Sequence, residues 1–389
     1  IAALSLCMTG CGYNYRPIVD TVPKPGGDPD PSRTALVINT SGVTTQINVS
    51  GDSNMGNFAV GDGPVHATFL FGQTLAFVAN RDEDNVAFYN PTQAASQVQR
   101  INLPVGSRPV FVHTTESSTQ GNCQASSISN VACVYVACSG SNSVAVLSVG
   151  QALMQGDPIP VGNNPVALVQ TPDRAKLYVV NRDDASVSVI TTSTMQNTTT
   201  IDVGADPVWA VMHSDGTRLY VVNQGSGTVS VINTATDTVV AQLPVGASPR
   251  HAFYDEALRR LWVVNGGSNT VSVFDVDAGA SQLLATIPVG TAPVAIVALA
   301  DGTRAYVANS GSNTVSVISS LGLTVSKTIS LGNGSAPANP SWIAASPDSS
   351  KVFVANRGAN SVASIRTSSD QIITEVPSAG SPIFIAVSP

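Results

Sequence analysis

The chain has 389 residues, a formal net charge of −7 and only 11% charged residues, against roughly 25% in an average soluble protein. No Lys/Arg cluster occurs in it, which argues against a nucleic-acid partner. Ser, Thr, Asn, Gly and Val fill the place of the missing charges and favour strands and turns over helices.

Residues 1–10 come first. Ile1 to Met8 are nearly all apolar or small. That run is far short of the roughly 20 residues a spanning helix needs, and it suits the remnant of a signal-peptide hydrophobic region. Met8-Thr9-Gly10-Cys11 follows and resembles the bacterial lipobox, with Met a departure at the aliphatic position. The resemblance implies lipidation at Cys11 and a membrane anchor through acyl chains. The expected location is then the bacterial cell envelope, in the periplasm or at the cell surface. Residues 11–30, rich in Pro and Gly, read as a flexible tether, and 31–389 as one repeat domain.

From residue 34 onward one pattern recurs. An apolar or aromatic residue is followed by Val, a small or apolar residue, and Asn. Instances are Leu36-Val37-Ile38-Asn39, Phe77-Val78-Ala79-Asn80, Tyr178-Val179-Val180-Asn181, Tyr220-Val221-Val222-Asn223, Trp262-Val263-Val264-Asn265, Tyr306-Val307-Ala308-Asn309 and Phe353-Val354-Ala355-Asn356. An eighth, Tyr135-Val136-Ala137-Cys138, replaces the Asn and follows a Ser-rich insertion around Ser117 to Asn130. Each unit opens with Pro and a strand, turns at a motif such as Asp301-Gly302-Thr303, and continues through the Asn strand and two more strands. Four short strands per repeat of about 42 residues is the signature of a propeller blade. The recurring Asn residues are expected to bond nearby backbone at the turn.

This grammar resembles the YVTN-type propeller family, whose members include surface-layer proteins and relatives of sugar-lactone hydrolases. The resemblance spans residues 31–389 and implies the fold more strongly than any activity.

The five cysteines show no CxxC or CxxCH spacing, so neither zinc nor covalent haem is signalled and no cofactor is expected. In an oxidising compartment Cys123 and Cys133 form a candidate disulfide, with Cys123–Cys138 the open alternative. Cys133 and Cys138, five apart on one strand, point to opposite faces and should not pair with each other.

The two chain ends complete the count. The Asn39 strand lacks an opening strand, and Pro382 to Pro389 is an opening strand with nothing after it. Joined, they make a composite blade. The expected fold is therefore all-β, an eight-bladed β-propeller of four-stranded antiparallel blades, closed by a C-terminal inner strand on three N-terminal strands.

In a propeller the opening strands line the central channel. Two places after each opening Pro stand His66, Phe111, Ala167, Trp209, His251, Ala295, Trp342 and Phe384. The neighbouring register is mostly aliphatic, with Arg250 and Ser341 the exceptions. A ring of aromatics and imidazoles at one mouth of the channel would stack on a sugar or seat a partner's side chain; the alternative is that bulky groups merely fill the axis. His66, Phe111, Trp209, His251, Trp342, Phe384 and Arg250 are the candidate ligand-binding residues. Asp82, Glu83 and Asp84 lack calcium-loop spacing and read as a solvated turn.

Three function classes remain. A non-catalytic binding or scaffold propeller on the envelope, presenting its mouth and loops to a partner protein or glycan, fits the poverty of acid/base pairs. A lactonase-like hydrolase at the mouth would have to use His66, His251 and Arg250, and the two histidines fall four blades apart. A redox-associated propeller lacks its own haem motif.

Overall fold

A computed structural model of the protein describes residues 33–70, 75–92, 97–115, 133–148, 152–277, 281–332 and 337–388. The expectations for residues 1–30, for Cys11 and for Cys123 with its surrounding insertion lie outside those residues. Among the described residues no helix is long and apolar enough to cross a membrane.

The described residues form eight antiparallel sheets, one per repeat. Blade 1 is the composite, with inner strand Pro382–Val387 and then Thr34–Asn39, Val43–Asn48 and Ser53–Ala59. Blades 2 to 8 open with Pro64–Phe69, Pro109–Thr114, Pro165–Gln170, Pro207–Met212, Pro249–Asp255, Pro293–Ala298 and Pro340–Ala345. Proline suits that first position because it has no N–H to leave unpaired. Second and third strands are buried on both faces, as at Leu219 to Asn223, because each blade is sandwiched between two others. The outer strands are largely exposed, as in Thr238–Pro244.

The core is thus a series of layers between blades. In one layer Tyr220, Val222 and Val231 of blade 5 meet Leu261, Val263 and Phe274 of blade 6. At the seam, Val37 and Ile47 of blade 1 pack with Phe353 and Val362 of blade 8. Closure needs the chain ends to pair, and Ala35 to Ile38 face Val387 to Phe384 in antiparallel register. Ser388 N–H donates to the Thr34 carbonyl at 2.9 Å. The seam is also clamped by charge. Lys351 reaches Asp52 at 2.6 Å, with both side chains about nine-tenths buried, and donates to the Val49 carbonyl at 2.7 Å. The same device appears more loosely as Lys176–Asp237 and Arg304–Asp370.

The repeated Asn residues meet the expectation in part: the Asn39 amide donates to the Val43 carbonyl across its turn at 2.9 Å, and Asn80 donates to the Val60 carbonyl at 2.7 Å. In four blades the amide nitrogen donates to two hydroxyls of the third strand rather than to turn backbone. Asn223 reaches Thr228 at 3.1 Å and Ser230 at 2.9 Å, and Asn181, Asn265 and Asn309 repeat the pattern. The pull of a buried amide toward buried hydroxyls wins because the strand carries its side chain inward, away from the turn. At Asn356 the second hydroxyl is replaced by Ala363 and the first, Ser361 Oγ, donates to Glu375 at 3.1 Å, so its side-chain amide has no partner among the described residues.

Blade 3 departs most from the repeat. Its outer strand is replaced by two fragments, Leu153–Met154 and Ile159–Pro160, both on the third strand. Cys133 is disulfide-bonded, whereas Cys138 is free and buried. They face opposite layers, Cys138 toward blade 2 and Cys133 toward blade 4. Burial pushes the Cys138 thiol up to about 12.

Candidate functional site

Every inner strand carries a bulge just after its opening Pro. Pro64 pairs with Asn80 while His66 pairs with Ala79, so Val65 is the extra residue, and the same shift recurs in all eight blades. A bulge re-aims the side chains beside it. Here it turns the third residue toward the axis, while Val65, Val110, Val166, Val208, Val294 and Ile383 pack against the interblade layers.

The six expected rings do come together, and they touch one another. His66 stacks on Phe111 at 3.8 Å and meets Phe384 at 4.5 Å. Phe384 meets Trp342 at 4.7 Å, Trp342 meets His251 at 4.9 Å, and His251 meets Trp209 at 4.8 Å. Trp209 reaches Phe111 at 5.9 Å over Ala167, which completes the circuit. A further contact, Trp209 to Trp342 at 5.6 Å, spans the axis. Ala167 and Ala295 are the two small members of the register, and their size leaves room for the indoles. The result is an aromatic floor that closes the channel at this level. Such ring pairs add about 0.5–1.5 kcal/mol each beyond their buried area.

Both imidazoles in the floor serve backbone. His66 Nδ1 accepts the N–H of Val112 at 3.4 Å, and His251 Nδ1 accepts that of Ile296 at 3.4 Å. Each donor lies on the inner strand of the next blade, whose channel-side edge has no partner strand. Two opposite blades thus use one device, an imidazole that caps the neighbour's open edge. A ring that accepts at Nδ1 holds its single proton at Nε2. Burial pushes both imidazoles down to about 3, aided at His66 by the charge of His113. They are neutral near pH 7.

Arg250 does not join this floor. It is exposed on the rim, and its side chain lies across Gly266, where a Cβ would stand 2.6 Å from its Nε. The acidic turn of blade 2 is engaged by the fold itself. Asp82 pairs with Arg81 at 2.9 Å, Glu83 accepts from Asn85, and Asp84 accepts the N–H groups of Gly106 and Arg108.

That last contact is one case of a clasp over the loop face. A side chain in the loop after the second strand accepts the N–H of the residue preceding the next blade's Pro. Asn142 does so for Asn164, Asn269 for Ala292 and Asn313 for Asn339. The repeating Asn in these loops carried the signal, but the clasp joins consecutive blades and is invisible within one repeat.

A second polar cluster escaped the sequence reading. At the opposite end of the blade 5 inner strand, His213 Nδ1 lies 2.8 Å from Asp215 and its Nε2 lies 3.3 Å from the Tyr254 hydroxyl. Thr171 and Ser346 bond Asp173 and Asp348 in the same turn of other blades. His213 therefore fills a turn-locking position, with Asp215 fixing its ring.

The family model described as lactonase, 7-bladed beta-propeller, matches residues 190–284 and 285–388. The chain belongs to this lactonase family. Unlike the family's description, this lactonase-family propeller has eight blades. Its fold is similar to that of dihydro-heme d1 dehydrogenase NirN (TM-score 0.75, 13% identity, covering 94% of this chain and 78% of that one). It is also similar to apo AztD from Citrobacter koseri (0.63, 15%, 91% and 97%). A putative 6-phosphogluconolactonase from Bacteroides fragilis matches as well (0.60, 13%, 92% and 99%). At these identities the likeness is one of fold, on which many activities are built. No curated protein matches the sequence.

Proposed function

We propose that this propeller is an envelope-anchored, non-catalytic recognition protein whose loop face and aromatic channel mouth seat a partner protein or glycan. The observation that carries the reading is the use made of the two mouth histidines: both are buried, neutral and occupied by a neighbour's N–H. A hydrolase needs a base and a charge stabiliser converging on one reacting atom. His66 and His251 sit in opposite blades with the indoles between them, and Arg250 stands apart on the rim. The partly exposed rings of Phe111, Trp209, Trp342 and Phe384, tilted to one another by 40–66°, instead offer an apolar aromatic surface, framed by loops that the interblade clasps join. Anchoring rests on the lipobox resemblance at Cys11.

Family membership favours a second reading, lactone hydrolysis at the mouth. A turnover assay on 6-phosphogluconolactone separates the two. We expect no difference in rate between the parent protein and a His66→Gln/His251→Gln double variant. A lactonase rate in the parent that the double variant loses overturns the recognition reading. Membrane partition of the full-length precursor with and without Cys11→Ser tests the anchor.

A further inference from the structure

We infer that a polar recess between blades 3 and 4, on the rim of the loop face, is a binding site for a hexuronate unit of a glycan. This rests on the reading of that face as a recognition surface. The recess encloses about 560 Å3, room for one or two sugar rings, and its side-chain lining is Arg108, Asn142, Asn163, Asn164 and Asp183. Ser139 and Gly140 complete it. No apolar side chain lines it, so an apolar ligand has nothing to bury against there.

The other repeats show which of these groups the fold itself needs. Asn163-Asn164 precede Pro165, where blades 5, 6 and 7 have Ala205-Asp206, Ala247-Ser248 and Thr291-Ala292. Asp183 occupies the place of Gly225, Gly267 and Gly311. Asp184 next to it is structural, since it accepts the Asn163 N–H at 2.5 Å as Ser268 accepts that of Ala247 at 2.8 Å. Asp183 and the Asn163 side chain are additions that blades 5, 6 and 7 do without, whereas blade 2 has Asp82 at the place of Asp183, where it pairs with Arg81.

These groups are held in place before any ligand arrives. Asn142 Nδ2 donates to Asn163 Oδ1 at 2.8 Å, Asn163 Nδ2 to Asp184 at 2.7 Å, and Asn164 Nδ2 to Asp183 at 3.1 Å. Ser139 N–H and Oγ both donate to the Arg108 carbonyl. The Arg108 side chain then runs across Gly140, where any Cβ would stand 2.9 Å from its Cγ. Among the described residues its guanidinium makes no hydrogen bond. Such preorganisation lowers the ordering cost of binding.

The donor set selects the ligand. A planar guanidinium matches a carboxylate in a forked pair. The Asp183 carboxylate and the fixed Asn amides suit neighbouring hydroxyls, which both donate and accept. The same Asp183 disfavours a doubly charged phosphate, because only one cation lines the recess. A polyhydroxylated ring with a single carboxylate satisfies each group.

Calorimetric titration of the full chain with digalacturonate, beside neutral galactobiose, tests the assignment. We expect saturable binding of digalacturonate that Arg108→Gln weakens about tenfold, whereas Arg259→Gln, an exposed partner of Asp277 away from the recess, leaves it unchanged. Asp183→Asn, an exposed change, serves as the second variant and should weaken both sugars alike. Absence of saturable digalacturonate binding, or binding that Arg108→Gln leaves unchanged, overturns it. The lactone assay is independent, so failure of the recess and failure of the recognition reading are distinguishable.

Discussion

The imidazoles of the aromatic floor should make the ring's stability fall with acid in a way the carboxylates alone do not explain. His66 and His251 are pushed from an ordinary value of 6.5 to about 3 by burial. Unfolded chains take up a proton on each as pH drops below 6.5, whereas the folded ring refuses it down to about 3. The unfolded state therefore binds more protons in that window, and stability declines as pH falls. Well inside the window each histidine contributes a slope of about 1.4 kcal/mol per pH unit, so the pair loses roughly 5 kcal/mol between pH 6 and pH 4. Urea unfolding followed by indole emission at pH 7, 6, 5 and 4 reads this loss. The His66→Gln/His251→Gln variant retains a hydrogen-bond acceptor and does not titrate, so its stability should fall less steeply over the same range. Parallel pH curves for the parent and the variant would refute the assignment of neutral, edge-capping imidazoles.

The other predictions concern the frame that holds this floor. Lys351→Met leaves the Asp52 carboxylate buried and unpaired at the seam and should cost about 3–5 kcal/mol in urea unfolding. Asn223→Ala removes two bonds to third-strand hydroxyls and should cost about 1–3 kcal/mol, whereas Asn356→Ala, whose amide is unpartnered, should cost less than half as much by the same measurement. Ala295→Leu places bulk beneath the Trp342–His251 contact and should destabilise by about 1–3 kcal/mol, with a shift in indole emission.

Much of this was legible in the chain, because each blade repeats one grammar and the repeats correct one another. The Pro at each strand start, the Asn strand and the orphan strands at the two ends were enough for eight blades and their closure. The channel register was legible for the same reason, since two places after Pro is a fixed position in the bulged strand. What escaped was every relation between blades. That His66 would cap Val112, or that Trp209 would cross the axis to Trp342, depends on the diameter of the ring and on the small Ala167 and Ala295 beside them. The Asn–hydroxyl bonds had a signal in the sequence, a Ser or Thr five and seven places on, as at Thr228 and Ser230 after Asn223. Blade 8 breaks that spacing at Ala363, and there the bonds are absent.

Pairing of the chain ends underlies the floor, the mouth and the ranking of functions, and a cross-link tests it directly. Val37 and Ile385 face each other across the seam of blade 1. In a Val37→Cys/Ile385→Cys variant, peptide mapping under mild oxidation should recover the 37–385 disulfide in nearly all molecules, together with a higher unfolding midpoint. Two free thiols at those positions in the folded protein would contradict the closed ring of eight.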